Sequence, residues 1–369
     1  MFDLRICDAA STKGSLMLKI DCHAHILPES WPSLREKYGY GGWITLDHHR
    51  PGHARMLRDD GTFFRDIEQN CWDPVAIIRD MDAHSVDTMV LCTVPVLFSY
   101  WAKPDDALDW SRYLNDHLAE VVRSAPRRFI GLGTLPMQEP QLAIRELERC
   151  KRELGMPGVQ IGTNIMGRNL DDPTLKPFWQ AAEALDMAVF VHPWDMLGAD
   201  RTAKYFLQWL VGMPAETTLA ITSMLFGGVF DAYPRLRVMF AHAGGTFPFT
   251  MGRISHGYHA RPDLCNVNGV SDPMSYAGRF WVDGITHDAD ALRFLMQVMG
   301  PEKIAYGTDY PFPLGDLEHG AFIEQMAELD ADVKNRLFAK NVLDFLKLDA
   351  DAYISPKPYD RSLDEGFFE

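Results

Sequence analysis

Short apolar runs, several rich in Val, Ile and Phe, recur along the chain. A stretch with apolar positions three and four residues apart follows most of them. Runs of the first kind predict buried parallel strands, and stretches of the second predict amphipathic helices. Eight strands are expected: 17–26 (MLKIDCHAHI), 86–94 (VDTMVLCTV), 128–136 (RFIGLGTLP), 158–163 (GVQIGT), 187–194 (MAVFVHPW), 236–243 (LRVMFAHA), 279–285 (RFWVDGI) and 303–310 (KIAYGTDY). Helices are expected between them, as in PVAIIRDMDAHS, QLAIRELERCKREL, LKPFWQAAEAL and ADALRFLMQVMG. Eight alternating units predict an α/β fold, a parallel (β/α)8 TIM barrel.

Two stretches exceed this repeat. Residues 38–71 fall between the first strand and its helix and read as a small inserted lid with hairpin character. Such an insertion stands where a barrel keeps its active-site loops. Residues 196–235, apolar and rich in Met and Trp, form a longer excursion after the fifth strand. The expected organisation is an N-terminal extension (1–17), a barrel (18–348) carrying the insertion at about 38–71, and a C-terminal arm (349–369). No internal repeat or interdomain linker interrupts it.

Charge narrows the partners. With 36 Lys and Arg against 51 Asp and Glu, the net charge is −15. Neither a nucleic acid nor an anionic membrane surface would attract such a chain. No apolar run is long enough to span a bilayer, and the first 17 residues carry Asp3, Arg5 and Asp8 instead of a leader's apolar stretch. Six cysteines, at 7, 22, 71, 92, 150 and 265, include no CxxC pair. Free thiols and a cytoplasmic location are expected.

Chemistry concentrates at strand ends. His23 and His25 sit two apart after an apolar run, so both imidazoles project from one strand face. His192 ends the fifth strand, His242 the sixth and Asp309 the eighth. Barrel enzymes carry their reacting groups at that rim. Imidazoles with a carboxylate suit zinc or a similar divalent ion. The fourth strand, GVQIGT, has no lysine to bridge a second metal, so a single ion is expected. Zinc lowers the pKa of a bound water to about 7. His242, followed by Ala-Gly-Gly, is placed for close approach and is the candidate base acting on that water.

The strand-one D-x-H-x-H, strand-five HP, strand-six AH-x-GG and strand-eight GTDYP together resemble the amidohydrolase superfamily. HILPESWP, KYGYGGW, NCWDP, VPVLFSYWAKP, PRRFIGLGTLPMQ, PGVQIGT, FVHPWDM, WLVGMPAETT, GRISHG, RPDLC and GTDYPFPLG are similar to its branch of 2-amino-3-carboxymuconate 6-semialdehyde decarboxylases. The resemblance runs from about 18 to 348. It implies a barrel of the amidohydrolase type and zinc held by His23, His25, His192 and Asp309. His242 is the implied catalytic histidine, and Asp309 a possible acid as well as a ligand. Arg65 and Arg253 are implied to grip the carboxylates of a small anionic dicarboxylate. Arg253 would reach the neighbouring site of a homodimer, and Trp209 and Phe312 match aromatic pocket residues. Ala243 departs from the glycine common in close relatives and narrows the approach to His242 slightly.

The Arg assignments also have a physical basis, since a dicarboxylate entering a −15 protein needs local positive charge and guanidinium grips carboxylate in a fork. Without the resemblance, Trp43, Trp72, Trp101 and Trp194 read as packing, and Cys22 and Cys71 as buried thiols. The activity implied is a non-oxidative decarboxylation without organic cofactor, in tryptophan breakdown through kynurenine. Addition of hydroxide to the substrate's diene and direct protonation of its carbon both remain open. The alternatives are a metal-dependent hydrolase and a decarboxylase of a related carboxylated aromatic compound. A scaffold that merely keeps the metal is the reading from outside enzymology.

Overall fold

The computed structural model describes residues 17–353, so most of the expected N-terminal extension and C-terminal arm lies outside the described residues. Eight parallel strands follow one another in chain order: β1 (Ile20–Ile26), β2 (Thr88–Thr93), β3 (Phe129–Thr134), β4 (Gly158–Gly162), β5 (Ala188–His192), β6 (Val238–Phe240), β7 (Trp281–Asp283) and β8 (Ile304–Ala305). Each pairs with the next, as Val189 does with Val238 and Val282 with Ile304. The circle closes where β8 returns to β1. Cys22 N–H donates to Tyr306 O at 2.9 Å, Asp309 N–H to His23 O at 2.8 Å and His25 N–H to Tyr310 O at 2.8 Å. The result is the expected (β/α)8 TIM barrel.

Helices cover the outside, and their starts are written in the sequence. Asp73 accepts from Val75 N–H ahead of α1 (Pro74–Ala83), with Pro74 in the first turn. Proline opens α2 (Pro104–Ser124), α3 (Pro140–Arg152) and, one residue in, α4 (Lys176–Ala184) and α5 (Met213–Phe226). After these come α6 (Phe247–Ala260) and α7 (Ala289–Met299), which Asp288 caps through Ala291 N–H. Among the described residues, no helix is long and apolar enough to cross a membrane.

Alternation along the strands divides the core. Ile20, Cys22, Val90, Leu132, Phe190 and Met239 fill the barrel, while Met89, Val159, Val189 and Val238 face the helices. His23 rests edge-on against Phe190, ring centroids 4.8 Å apart. Truncating Phe190 to alanine would cost about 3–5 kcal/mol and remove the floor of the site.

The stretch after β1 forms a three-stranded antiparallel sheet, Ile44–Arg50, His53–Arg58 and Phe63–Glu68, over its own apolar cluster around Trp43, Met56 and Trp110. The excursion after β5 winds through a π-helical turn, Gln208–Gly212, into α5. The eighth strand is shorter than expected from 303–310, since only Ile304–Ala305 pairs regularly. Beyond it Gly307 passes so close to β1 and β7 that an added Cβ would lie 3.0 Å from His23 Cβ and 3.2 Å from Asp283 Cβ. The chain then leaves the pleat, with Asp309 at φ +59°.

Candidate metal centre and active site

The strand ends bring the predicted residues together. His23 Nε2 lies 3.1 Å from His25 Nε2, and Asp309 Oδ1 is 3.0 Å from His25 Nε2, 3.3 Å from His23 Nε2 and 4.0 Å from His192 Nε2. His242 Nε2 stands 3.4 Å from Asp309 Oδ2. Donor atoms of His23, His192, His242 and Asp309 all fall within 4.8 Å of one another. On a tetrahedral zinc ion with bonds of about 2.0–2.1 Å, ligand atoms stand about 3.3 Å apart. The His23, His25 and Asp309 spacing therefore suits three ligands of one ion.

The far side of each ring decides where its lone pair points. His23 Nδ1 donates to Asp283 Oδ2 at 2.8 Å, His25 Nδ1 to Thr93 O at 3.2 Å and His192 Nδ1 to Pro193 O at 3.0 Å. All three Nε2 atoms are thereby left as acceptors facing one point, and His192 Nε2 has no protein partner there. Metal-binding histidines are held in this way. His242 differs: its buried Nδ1 has no partner among the described residues, and only its Nε2 faces a carboxylate, Asp309. Its side chain is also the most accessible of the four imidazoles, 15% exposed against 0–3%.

Electrostatics agree with a cation. Burial alone would raise the Asp309 pKa, but His23, His242 and His25 around it hold it well below the ordinary carboxylate range. Burial opposes protonation of His23, yet Asp309 and Asp283 lift its pKa to about 10. Burial lowers His25 and, reinforced by its imidazole neighbours, lowers His192 much further. Two buried carboxylates draw positive charge to this spot, a demand that a divalent ion would meet. Asp21 ties the frame together, accepting from His23 N–H at 3.0 Å and Thr308 N–H at 3.1 Å across the β1–β8 seam.

Two chambers open from Asp309, sharing a wall of Trp209, Met213 and Leu314. The smaller, about 300 Å³, contains His25, His192, Arg65, Trp194 and Phe312. Arg65, from the inserted sheet, places its guanidinium carbon 4.4 Å from the Phe312 ring centre and 5.7 Å from those of Phe64 and Trp209. Burial depresses its pKa, and no carboxylate pairs with it among the described residues. The larger chamber, about 580 Å³, is apolar and reaches His242, Ala243, Phe249 and Phe294. Gly245 lies in its wall at φ +63°, where a Cβ would fall 2.2 Å from Pro214 O. Arg253 is exposed on α6 and lines neither chamber.

Trp43 and Trp72 are buried as expected of packing residues and Trp101 is exposed, but Trp194 lines the Arg65 chamber. Its place two residues after His192 was the available signal. Cys22 and Cys71 are buried free thiols, and burial pushes the Cys71 pKa up to about 12. Sequence reading gave no role to Asp283.

A family model described as Amidohydrolase matches residues 20–348. The chain is 57% identical over 337 residues to a 2-amino-3-carboxymuconate-6-semialdehyde decarboxylase of Dictyostelium discoideum, covering 91% of this chain and 94% of that protein. It is 37% identical to the protein of the same name from Caenorhabditis elegans, covering 93% and 97%. Among solved structures, a dihydroxybenzoic acid decarboxylase from Polaromonas sp., with bound manganese and the inhibitor 2-nitroresorcinol, superimposes with a TM-score of 0.70. That pair is 25% identical, over 92% of this chain and 99% of the other. The chain belongs to the amidohydrolase family and, within it, to the 2-amino-3-carboxymuconate-6-semialdehyde decarboxylases.

Proposed function

We propose that the chain is a metal-dependent carboxy-lyase that converts 2-amino-3-carboxymuconate 6-semialdehyde to 2-aminomuconate 6-semialdehyde and CO2. The observation that carries this reading is the 57% identity along nearly the whole chain to the Dictyostelium enzyme. The site supports it chemically. An unpaired guanidinium faces a chamber beside a cluster of imidazoles, which suits a small carboxylated substrate.

We assign one zinc ion to His23, His25, His192 and Asp309. When bound, it would supply Lewis acidity toward an oxygen ligand. The protein's own groups do the rest. Arg65 holds a carboxylate while Trp209 and Phe312 flank the conjugated chain. Breaking the bond to CO2 leaves an electron pair on carbon, so one proton must be delivered there. His242 is the group placed to take up or release that proton, its Nε2 facing the cluster and its Nδ1 unconstrained. Asp309 holds His242 at this distance.

The exposed position of Arg253 supports a homodimer in which that arginine serves the neighbouring site. Free buried thiols support a cytoplasmic protein. We read 18–348 as one catalytic domain with the inserted sheet as its lid. The test is to add freshly generated semialdehyde to zinc-reconstituted protein, follow its absorbance decay and capture CO2. Fast decay with one CO2 per substrate is expected. Decay at the spontaneous rate, with turnover of a dihydroxybenzoic acid instead, would move the assignment to the related decarboxylases.

A further inference from the structure

Asp283, the last residue of β7, is fully buried, and its carboxylate accepts four hydrogen bonds. Oδ2 accepts from His23 Nδ1–H at 2.8 Å and from His242 N–H at 2.8 Å. Oδ1 accepts from Ala243 N–H at 2.7 Å and Ile285 N–H at 3.2 Å. β1 and β6, which do not pair with each other, thus meet at one side chain of β7. β1 brings the histidine that faces the metal position, and the turn after β6 the histidine assigned to proton transfer.

The second contact has an unusual partner. His242 and Ala243 both adopt left-handed backbone, φ +54° and +55°. Residues with a Cβ hold that conformation only when their surroundings impose it. Successive N–H groups in such a turn converge and cradle an anion. Here the anion is the Asp283 carboxylate, and the turn it stabilises is the one that lifts the His242 ring toward Asp309. The first contact works through the ring. Because an ionised carboxylate can only accept, it keeps the proton of His23 on Nδ1 and leaves Nε2 free as a ligand.

We propose that Asp283 is a positioning residue that sets the metal ligand His23 and the proton-transfer residue His242 in register with each other. The inference deepens the decarboxylase reading and rests on it for its kinetic half only. An ordinary cap would accept from the turn alone, and an ordinary ligand support would accept from the ring alone. Asp283 does both with one oxygen, so a change at this carboxylate should disturb both groups together.

The test uses the full-length holoprotein and D283N, which keeps the shape but offers one acceptor oxygen instead of two. D283N is expected to bind zinc roughly 10- to 100-fold more weakly in a competition titration. With Co2+ in place of zinc, its visible absorption bands should shift. At saturating metal, kcat should fall by about 100-fold with KM nearly unchanged. In an H242N background the same change should cost only a small further factor, because it acts through His242. Wild-type zinc affinity and an unshifted cobalt spectrum would overturn the proposal, as would fully multiplicative losses in the double variant. Should D283N not fold, D283E retains the charge but displaces it. A cobalt spectrum and kcat like those of the wild type would then overturn the proposal. If the wild-type protein does not turn over the semialdehyde, the functional reading falls, while the affinity and cobalt measurements still judge Asp283.

Discussion

Arg65 and Phe312 meet in the wall of the smaller chamber, the guanidinium carbon 4.4 Å above the ring centre. One residue comes from the inserted sheet and the other from the loop after β8, so the inserted sheet is tied to the rim beside Asp309. Contact with the ring holds the guanidinium in place, and its N–H groups, unpaired with any carboxylate among the described residues, are left for a substrate carboxylate. Removing the group should cost about 3 kcal/mol of substrate binding, the scale of a charged, two-pronged hydrogen bond. R65A is therefore expected to lose about 100-fold in kcat/KM. R65K, which keeps the charge without the fork, should lose about tenfold. Steady-state kinetics on the semialdehyde would check both, and equal losses in the two variants would remove the argument from geometry.

Metal removal should affect stability as well as turnover. Three imidazoles and Asp309 are held facing one point, so an ion there binds the folded chain and not the unfolded one. At free zinc 1,000-fold above its Kd the gain is about 4 kcal/mol. Chelation should abolish activity and lower the melting temperature by several degrees. Adding back one equivalent of zinc should restore both. Elemental analysis showing two ions per chain would contradict the single site.

What the sequence made legible follows from burial. Each barrel strand is an apolar run, and the polar residues at its carboxyl end mark the rim, so His23, His25, His192, His242 and Asp309 could be picked out without coordinates. Asp283 has the same local pattern in RFWVDGI, but only the way the barrel brings β1 and β6 to β7 shows that it meets two histidines. Trp194 looked like packing because a tryptophan side chain is usually packing; its role depends on where the inserted sheet places Phe64 and Arg65. The division into two chambers is equally remote from local pattern. It is made by Trp209 and Met213, in a π-helical turn and the helix it enters, meeting Leu314 from the far end of the chain.

Acid should loosen the back of the barrel at a particular residue. His319 is buried, stacked on His84 at 4.3 Å between ring centres. Burial, then the nearby His84 and Lys19, lower its pKa to about 4, against a weak opposing pull from Asp80. In the unfolded chain its pKa is about 6.5. Between pH 6.5 and 4 the unfolded state therefore binds the extra proton, and stability falls as pH falls through that window. The contribution is at most about 3 kcal/mol and is fully present only above pH 6.5 or so. H319F, compared with wild type as metal-free protein in urea titrations, should lose less stability on going from pH 7 to pH 4.5. Parallel curves would mean that His319 is not buried neutral.

The exposed Arg253 leads to a complementation experiment. If it serves the partner's site, R253A and H242N homodimers should each be nearly inactive, because every site lacks one group. Mixed and re-equilibrated, half of the dimers are heterodimers with one intact site, so activity should recover to about a quarter of wild type. No recovery, in a mixture shown to exchange subunits, would confine Arg253 to its own subunit or to no catalytic role.

His242 is where ligand and proton carrier can be told apart. Its Nε2 belongs to the same cluster as the ligands, 3.4 Å from Asp309 Oδ2, so proximity alone would allow it to hold the ion. The other three rings have their Nδ1 protons committed to fixed acceptors, whereas the Nδ1 of His242 has none. A ring that must gain and lose a proton benefits from that freedom, and a permanent ligand does not. H242N should therefore keep one zinc per chain with affinity near that of the wild type, while kcat falls by about 100- to 10,000-fold. H192A, by contrast, should lose the metal and its activity together. Loss of zinc from H242N comparable to that from H192A would make His242 a ligand, and the proton would then have to come from elsewhere in the site.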